Sequence, residues 1–239
     1  MLKGVDKFIL LIVLALGCLS LLMLESTIYE DHLVMGRAVI VQAVSYVLGF
    51  IAVMVILAIN YNFFYGLEKV LYILSVLFLL TVYIPGLGEE QFGSKAWIDL
   101  GVVTLQPSEF VKISFVFIMA GYLSEHRSEL RDFKGVFKAV IYAAPLIVIV
   151  LKEDLGSALV FVVIWIFMVF FAGIDYKVFF KSALLCLAMI PIAYRFLGEY
   201  QKERIEAFLH PDNLSLSGNY QVWQSKVAIG SGGFTGKGL

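Results

Sequence analysis

One polar stretch, TLQPSEFVK at residues 104–112, interrupts the long apolar runs of this sequence. Pro107 suits the first turn of a helix, because its missing N–H would have no partner there. Gln106 is then predicted as the N-cap residue, and Glu109 as a first-turn carboxylate that the helix dipole favours. Lys112 follows within pairing distance of Glu109. If this helix crosses a membrane, the pair is either a functional site facing a cavity or a capping glutamate with a snorkelling lysine.

A second charged cluster, Lys152–Ser157, separates two apolar runs by a very short turn. Asp154 is predicted to cap the helix that follows, and Gly156 permits close approach of neighbouring helices. The turn is therefore either a charged connector with an N-cap or part of the lining of a polar cavity. Trp97, in the preceding long connector, is either an interfacial belt residue or the floor of such a cavity.

The last twenty residues, 220–239, are polar and rich in glycine. They do not form a P-loop, because Ser231 stands where the first glycine is required and Gly238 where a metal-binding Ser or Thr is required. Two interpretations remain. The glycines either form a backbone cradle for an anion such as a diphosphate, beside Lys226 and Lys237, or belong to a flexible or re-entrant loop.

Other common kinds of site have no support in the sequence. The three histidines, His32, His126 and His210, lack metal-ligand spacing. The two cysteines, Cys18 and Cys186, lie inside apolar runs and are interpreted as packing residues. The net charge of -1 provides no basic surface of the kind that binds nucleic acid.

The elements that must position these clusters are long apolar runs. Of the 239 residues, 61% are hydrophobic and 15% charged, whereas soluble chains have about 45–50% apolar and about 25% charged residues. Runs of about 18 or more apolar residues predict transmembrane helices. The sequence therefore predicts an all-α, polytopic integral membrane bundle with seven candidate spans, at about 7–25, 38–59, 67–85, 107–123, 136–151, 155–173 and 178–197.

Basic residues divide unevenly between the connectors on the two sides of these spans. Because Lys and Arg concentrate on the cytoplasmic side of membrane proteins, we expect a cytoplasmic N-terminus. We also expect a bundle over residues 1–197 and the start of a large extracytoplasmic loop over 198–239. The cytoplasmic set is Lys3, Lys7, Lys69, Arg127, Arg131, Lys134, Lys138, Lys177 and Lys181, and the short connectors opposite hold Arg37, Lys95 and Lys152.

Four stretches together resemble the SEDS family, the shape, elongation, division and sporulation proteins. They are Gly93–Trp97, Leu105–Lys112, Asp154–Ala158 and, above all, Arg204–Leu239. Each is weak alone, but their order at outer-face positions of a multispan chain is typical of the family. The resemblance runs from the first span to the last residue.

Some features depart from the family pattern. Ala96 replaces a common Arg, Glu153 replaces a Pro, and Val41 replaces a basic residue. The family has about ten spans, so about three more are expected to follow. The family's catalytic Asp lies on the same outer loop beyond Leu239, and no residue of this chain inherits its role.

The resemblance implies a peptidoglycan glycosyltransferase that polymerises lipid II during cell elongation. Lipid II is a disaccharide-peptide on undecaprenyl diphosphate, and the reaction would occur at the outer face of the bacterial cytoplasmic membrane. A carboxylate would deprotonate the acceptor 4-hydroxyl of GlcNAc, whose oxygen would displace the diphosphate from C1 of MurNAc with inversion. Lys or Arg side chains, or a divalent cation such as Mg²⁺ or Mn²⁺, would neutralise the leaving diphosphate.

The resemblance also implies substrate-binding residues and a partner. Lys112, paired with Glu109, is expected to contact the diphosphate, with Asp154 and Trp97 lining the same cavity. Further contacts from the outer loop are expected at Arg204, Gln221, Ser225 and Lys226. The expected protein partner is a class B penicillin-binding protein, a transpeptidase.

Two other functions fit the same residues. A lipid II flippase or transporter would also use the Glu109–Lys112 pair and an outer cavity, but it would move labelled lipid without forming glycan chains. An inactive fragment, or a scaffold that only binds partners, is the other alternative. Co-purification with a partner in the absence of polymerisation would favour the scaffold.

Overall fold

The computed structural model describes residues 6–27, 32–59, 66–91, 94–101 and 104–236. Contacts group the chain into two compact units: a smaller one, 1–63 with 228–239, and a larger one, 64–227. Predictions that involve Lys3, Gly93 and residues 237–239 lie outside the described residues. The predicted division into 1–197 and 198–239 stays a prediction.

Helices dominate the described part of the chain. They are α1 (Lys7–Thr27), α2 (His32–Ala58), α3 (Glu68–Leu80), α4 (Pro107–Glu125), α5 (Phe133–Glu153), α6 (Leu155–Phe171), α7 (Tyr176–Phe196), α8 (Glu199–Leu209) and α9 (Ser217–Gly232). Within the described residues, three stretches are long and apolar enough to cross a membrane: Lys7–Ser26, Ala38–Ala58 and Phe133–Glu153. The seven predicted spans fall on α1–α7, and a crossing by each of them stays a prediction.

Large apolar side chains cover much of the helix surface. Leu16 of α1, Val47 of α2 and Leu184 of α7 are each more than half exposed. Such faces are unfavourable in water but suit a surface surrounded by lipid. The fold is thus that of a polytopic helical membrane protein, as the composition predicts.

The core of the larger unit lies around α4. Val111, Phe115, Ile118 and Met119 are completely or almost completely buried, and their i, i+4, i+7, i+8 spacing places them on one helix face. The ring of Phe115 meets that of Phe161 on α6 with 5.0 Å between centroids. This packing holds α4 against its neighbours and so determines where its N-terminal polar residues lie.

A small antiparallel sheet, which the sequence did not predict, occupies much of the connector between α3 and α4. Its strands are β1 (Gly88–Gln91), β2 (Ser94–Asp99) and β3 (Thr104–Leu105), in that order. Ala96 and Ile98 of β2 are buried while Trp97 between them is half-buried, which is the two-residue period of a strand. The sheet and the α5–α6 turn lie at the same end of the larger unit, here called the sheet end.

The glycine-rich tail is largely helical, which contradicts both interpretations of residues 220–232. Gly230 and Gly232 lie within α9, so their N–H groups are not arranged as an anion cradle. Residues 219–229 contain no glycine and can therefore form a helix. Gly230 and Gly232 lower the stability of its last turn only. Gly233 follows with a positive φ of 54°, as is common for a glycine just after a helix.

Candidate functional site

Asp154 is a key polar side chain at the sheet end. It stands between α5 and α6, and its carboxylate accepts hydrogen bonds from the backbone N–H of Gly156 at 2.9 Å and the hydroxyl of Ser157 at 2.7 Å. The predicted N-cap is therefore present. The amide Nε2 of Gln106 donates to the same carboxylate at 3.1 Å. Asp154 thus joins the start of α4 to the start of α6.

Gln106 is the N-cap residue of α4, as predicted, but its side chain has a partner that was not predicted. It occupies the N-cap position before Pro107, but its side chain makes no capping hydrogen bond. The side chain reaches Asp154 instead, 48 residues away in sequence. The sequence analysis did not identify Ser157 as a hydrogen-bond donor to Asp154. A Ser at the third position of a helix, after an Asp at the N-cap, could have indicated this contact.

Glu153, next to Asp154, ties the sheet to the α5–α6 turn. Its carboxylate accepts a hydrogen bond from the hydroxyl of Tyr83 at 2.6 Å and one from the backbone N–H of Lys95 at 3.1 Å. Tyr83 belongs to the 3₁₀ turn Thr81–Tyr83 that follows α3, and Lys95 belongs to β2. Glu153, which stands where the family pattern has Pro, therefore holds the sheet to the α5–α6 turn in this chain.

The predicted pair on α4 is present. The ammonium of Lys112 lies 2.6 Å from a carboxylate oxygen of Glu109, with the lysine side chain 21% exposed and the glutamate side chain 52% exposed. Lys112 is not among the residues that line the two cavities described below. A cavity shared by Lys112 and Asp154 stays a prediction.

Two cavities adjoin the α5–α6 turn. The smaller, about 20 Å³, lies beneath Asp154 and Glu153 and is bounded by buried Ala96 and Ser108. The larger is a cleft of about 940 Å³ that extends from Tyr83 and Lys152 to the start of α8. Its volume is in the range of small-molecule binding sites. The larger cleft is the candidate site for a substrate.

The remaining predicted contacts lie on separate elements. Trp97 is on β2, opposite Glu89 of β1. Arg204 lies on α8, and Gln221, Ser225 and Lys226 lie on α9. None of these five predicted residues lines either cavity. Their roles in substrate binding stay predictions.

The described residues do not fit a resident divalent cation. Within them, no group of three or more His, Cys, Asp or Glu side chains is close enough to hold a metal ion. Asp154 already accepts three hydrogen bonds, and Glu109 is paired with Lys112. A Mg²⁺ or Mn²⁺ ion held by these carboxylates would have to displace those partners.

Two opposing effects act on the pKa of Asp154. Partial burial raises it, but hydrogen bonds from the side chain and backbone of Ser157, from Gln106 and from Gly156 outweigh that effect, so the pKa lies below its ordinary value of 3.8. Because the folded state has the lower pKa, ionised Asp154 stabilises the fold above the unfolded-state pKa. That contribution is lost as the pH falls through the folded-state pKa.

This linkage predicts an acid-sensitive melting temperature. We expect the wild-type protein to lose more stability between about pH 5 and about pH 3 than an Asp154→Asn variant, which has no proton to gain there. Thermal unfolding in detergent at a series of pH values measures the difference. Equal slopes for the two proteins would contradict the assigned hydrogen bonds.

The fold and the site define a class of protein: a multi-pass helical membrane protein with a cleft of mixed apolar and charged lining in its larger unit. Over residues 6–239 the chain matches the family model described as cell cycle protein, the model of FtsW, RodA and SpoVE. The chain therefore belongs to this family, which is the SEDS family that its motifs resemble.

Two curated relatives illustrate the match. The chain is 31% identical to the peptidoglycan glycosyltransferase MrdB of Escherichia coli K12 over 236 residues, which cover 98% of this chain and 62% of MrdB. It is 32% identical to stage V sporulation protein E of Bacillus subtilis over 195 residues, which cover 80% of this chain and 53% of that protein. The chain thus spans about half to three fifths of the length of these relatives.

Solved structures are similar to this one. The rod shape determining protein RodA of Thermus thermophilus matches with a TM-score of 0.62 at 25% identity, over 79% of this chain and 60% of RodA. A second match is a chain from a structure of a peptidoglycan synthase complex, which concerns the coordination of polymerization and crosslinking. Its TM-score is 0.76 at 28% identity. That match covers 97% of this chain and 67% of the other. The chain is RodA-like in fold and sequence.

Proposed function

We propose that this chain is part of a peptidoglycan glycosyltransferase that polymerises lipid II at the outer face of the bacterial cytoplasmic membrane during cell elongation. The observation that carries the proposal is the alignment of 98% of the chain with a peptidoglycan glycosyltransferase, MrdB. The cleft of about 940 Å³ beside the α5–α6 turn supports it, because the cleft offers apolar walls together with charged groups.

In this proposal the residues of this chain bind and orient the substrate. Asp154, held by three donors, has a fixed ionised carboxylate next in the chain to Glu153, which lines the cleft, and in this proposal it accepts hydrogen bonds from sugar or peptide groups. Lys112, Trp97 and Arg204 of α8 are candidate further contacts. No residue of this chain is proposed as the base that takes the proton from the acceptor 4-hydroxyl.

Charge on the leaving diphosphate is neutralised in this proposal by Lys and Arg side chains. The electron pair of the broken C1–O bond goes to the diphosphate, so its negative charge increases in the transition state. Cations fixed at that position stabilise the transition state more than the ground state. A need for Mg²⁺ or Mn²⁺ is tested simply by adding a chelator to the assay.

The proposed orientation places the N-terminus in the cytoplasm and the sheet end outside. The excess of Lys and Arg on the opposite connectors supports this orientation. A class B penicillin-binding protein is the proposed partner, since glycan strands made outside the membrane must be crosslinked there. The similarity to a protein from a peptidoglycan synthase complex supports such an assembly.

The test is a polymerisation assay on the protein as its source cell makes it, purified with any partner that remains bound. We expect labelled lipid II to be converted to glycan chains that are resolved on a gel. Lipid transfer across vesicles without chain formation would replace the proposal with a flippase. Partner binding with neither activity would replace it with a scaffold.

A further inference from the structure

The cleft of about 940 Å³ has two kinds of wall. Apolar side chains come from α3, α5 and the end of α7, and polar or charged groups come from the 3₁₀ turn after α3, the end of α5 and the start of α8. The apolar set includes Leu80, Val148, Ile149, Phe196 and Leu197, and the polar set is Tyr83, Lys152, Glu153, Glu199 and Gln201. A lining of both kinds suits an amphipathic ligand with an apolar chain and a charged head group.

The start of α8 is fastened to the end of α5. Gln201 donates from its amide Nε2 to the carbonyl of Leu151 at 2.6 Å, and its Oε1 accepts from the backbone N–H of Gly198 at 3.1 Å. The carbonyl of Leu151 lies in the last turn of α5, where carbonyl groups lack helical partners. Specific hydrogen bonds therefore hold the two sides of the cleft in place.

Both carboxylates of the cleft are already engaged. Glu153 accepts from Tyr83 and from the backbone of Lys95. Glu199 is paired with Lys202, whose ammonium lies 3.0 Å from it. Their negative charges are thus satisfied by neighbours rather than directed at a cation in the cleft.

Lys152 is in a different situation. Its ammonium lies 4.7 Å from the centre of the Tyr83 ring, and among the described residues no carboxylate lies within ion-pair distance of it. The aromatic face attracts the positive charge, but it does not give any of the three N–H donors an oxygen acceptor. Because Glu153 holds the hydroxyl of Tyr83, the ring that supports the ammonium is itself fixed.

We propose that Lys152 is the phosphate-binding cation of this cleft, and that the ligand is the diphosphate end of a polyprenyl-linked substrate. The ammonium contacts a phosphate oxygen, and the first isoprene units lie against the apolar wall. The choice of ligand rests on the proposed function. Lys112 is less suited to this contact, because Glu109 at 2.6 Å already neutralises it.

Binding of farnesyl diphosphate, a short member of this ligand class, tests the proposal without any need for polymerisation. The protein as its source cell makes it is placed in zwitterionic nanodiscs, and affinity is measured by equilibrium dialysis. We expect Lys152→Met to weaken binding about tenfold, and Lys152→Arg to stay within about twofold because it keeps the charge. Lys181→Met removes an exposed lysine of α7 as a matched control and is expected to bind like the wild type.

Each alternative outcome has a definite meaning. Unchanged affinity for farnesyl diphosphate in Lys152→Met would overturn the proposal. The proposal would also fail if Lys152→Met weakened the binding of farnesol, which lacks the phosphates, by the same factor. Displacement of the probe by phosphatidylglycerol in the discs would overturn it in favour of a phospholipid site. If no glycan forms but binding still depends on Lys152, the proposed function fails and the binding site stands. If glycan forms and Lys152→Met binds normally, only this inference fails.

Discussion

Replacement of Asp154 by alanine is expected to lower the free energy of unfolding by about 3 kcal/mol. The N-cap to Gly156 contributes about 1 kcal/mol. The partly buried donors of Gln106 and Ser157 each lose their acceptor, at about 1 kcal/mol apiece. For a chain of this length the loss corresponds to a fall in melting temperature of about 6–12 °C. Thermal unfolding of the purified protein in detergent measures it.

Asp154→Asn separates the structural role of this side chain from its charge. Asparagine keeps an oxygen that accepts from the N–H of Gly156, so we expect only about 1 kcal/mol of lost stability. If the carboxylate contacts the substrate as proposed, polymerisation should nevertheless fall about tenfold or more. A melting temperature for Asp154→Ala within about 2 °C of the wild type would show that these contacts do not hold α4 and α6 together.

Local sequence rules predicted those parts of the site that depend on residues close in the chain. The Asp154 cap and the Glu109–Lys112 pair involve residues two or three positions apart, so helix geometry alone brings them together. Pro107 likewise marks the start of α4 because of its fixed backbone and missing donor. Composition was enough for the fold class, because no soluble fold of this length buries so much apolar surface.

Contacts between distant segments were beyond those rules. Gln106 is 48 residues from Asp154, and Tyr83 is 70 residues from Glu153. Both contacts depend on how α3, α4 and α5 pack, which periodicity alone does not determine. The position of Gln106 as the N-cap residue was predicted correctly, but the hydrogen bond from its side-chain amide to the Asp154 carboxylate was not.

The two largest errors concern glycines and short strands. Glycine content predicted a loop over 220–239, but the apolar and amide residues from Tyr220 to Ile229 extend α9 to Gly232. The strands of the sheet have two to six residues, too short for their alternation to stand out in sequence. In that sheet, position 88 nonetheless requires glycine, because the neighbouring backbone leaves no room for a side chain.

Gly88→Ala is expected to displace β1 and destabilise the sheet end by about 3 kcal/mol, at the upper end of the usual cost of overpacking. A Cβ at this position would overlap the backbone carbonyl of Val82, so the backbone must move to admit it. Val82 is buried and directly precedes Tyr83. The displacement should therefore also loosen the hydrogen bond between Tyr83 and Glu153.

Hydrogen exchange distinguishes this local effect from general instability. In Gly88→Ala we expect faster exchange in β1, β2 and the turn at Glu153, with little change in α1 and α2. Gly49→Ala is the matched control, because a Cβ at Gly49 in α2 meets no atom within 4 Å. It should not lower the melting temperature, because Ala favours a helix more than Gly does, and it should leave the exchange of the sheet unchanged. Normal exchange of β1 in Gly88→Ala would mean that the sheet does not pack against Val82, and that Glu153 is held by something other than this sheet.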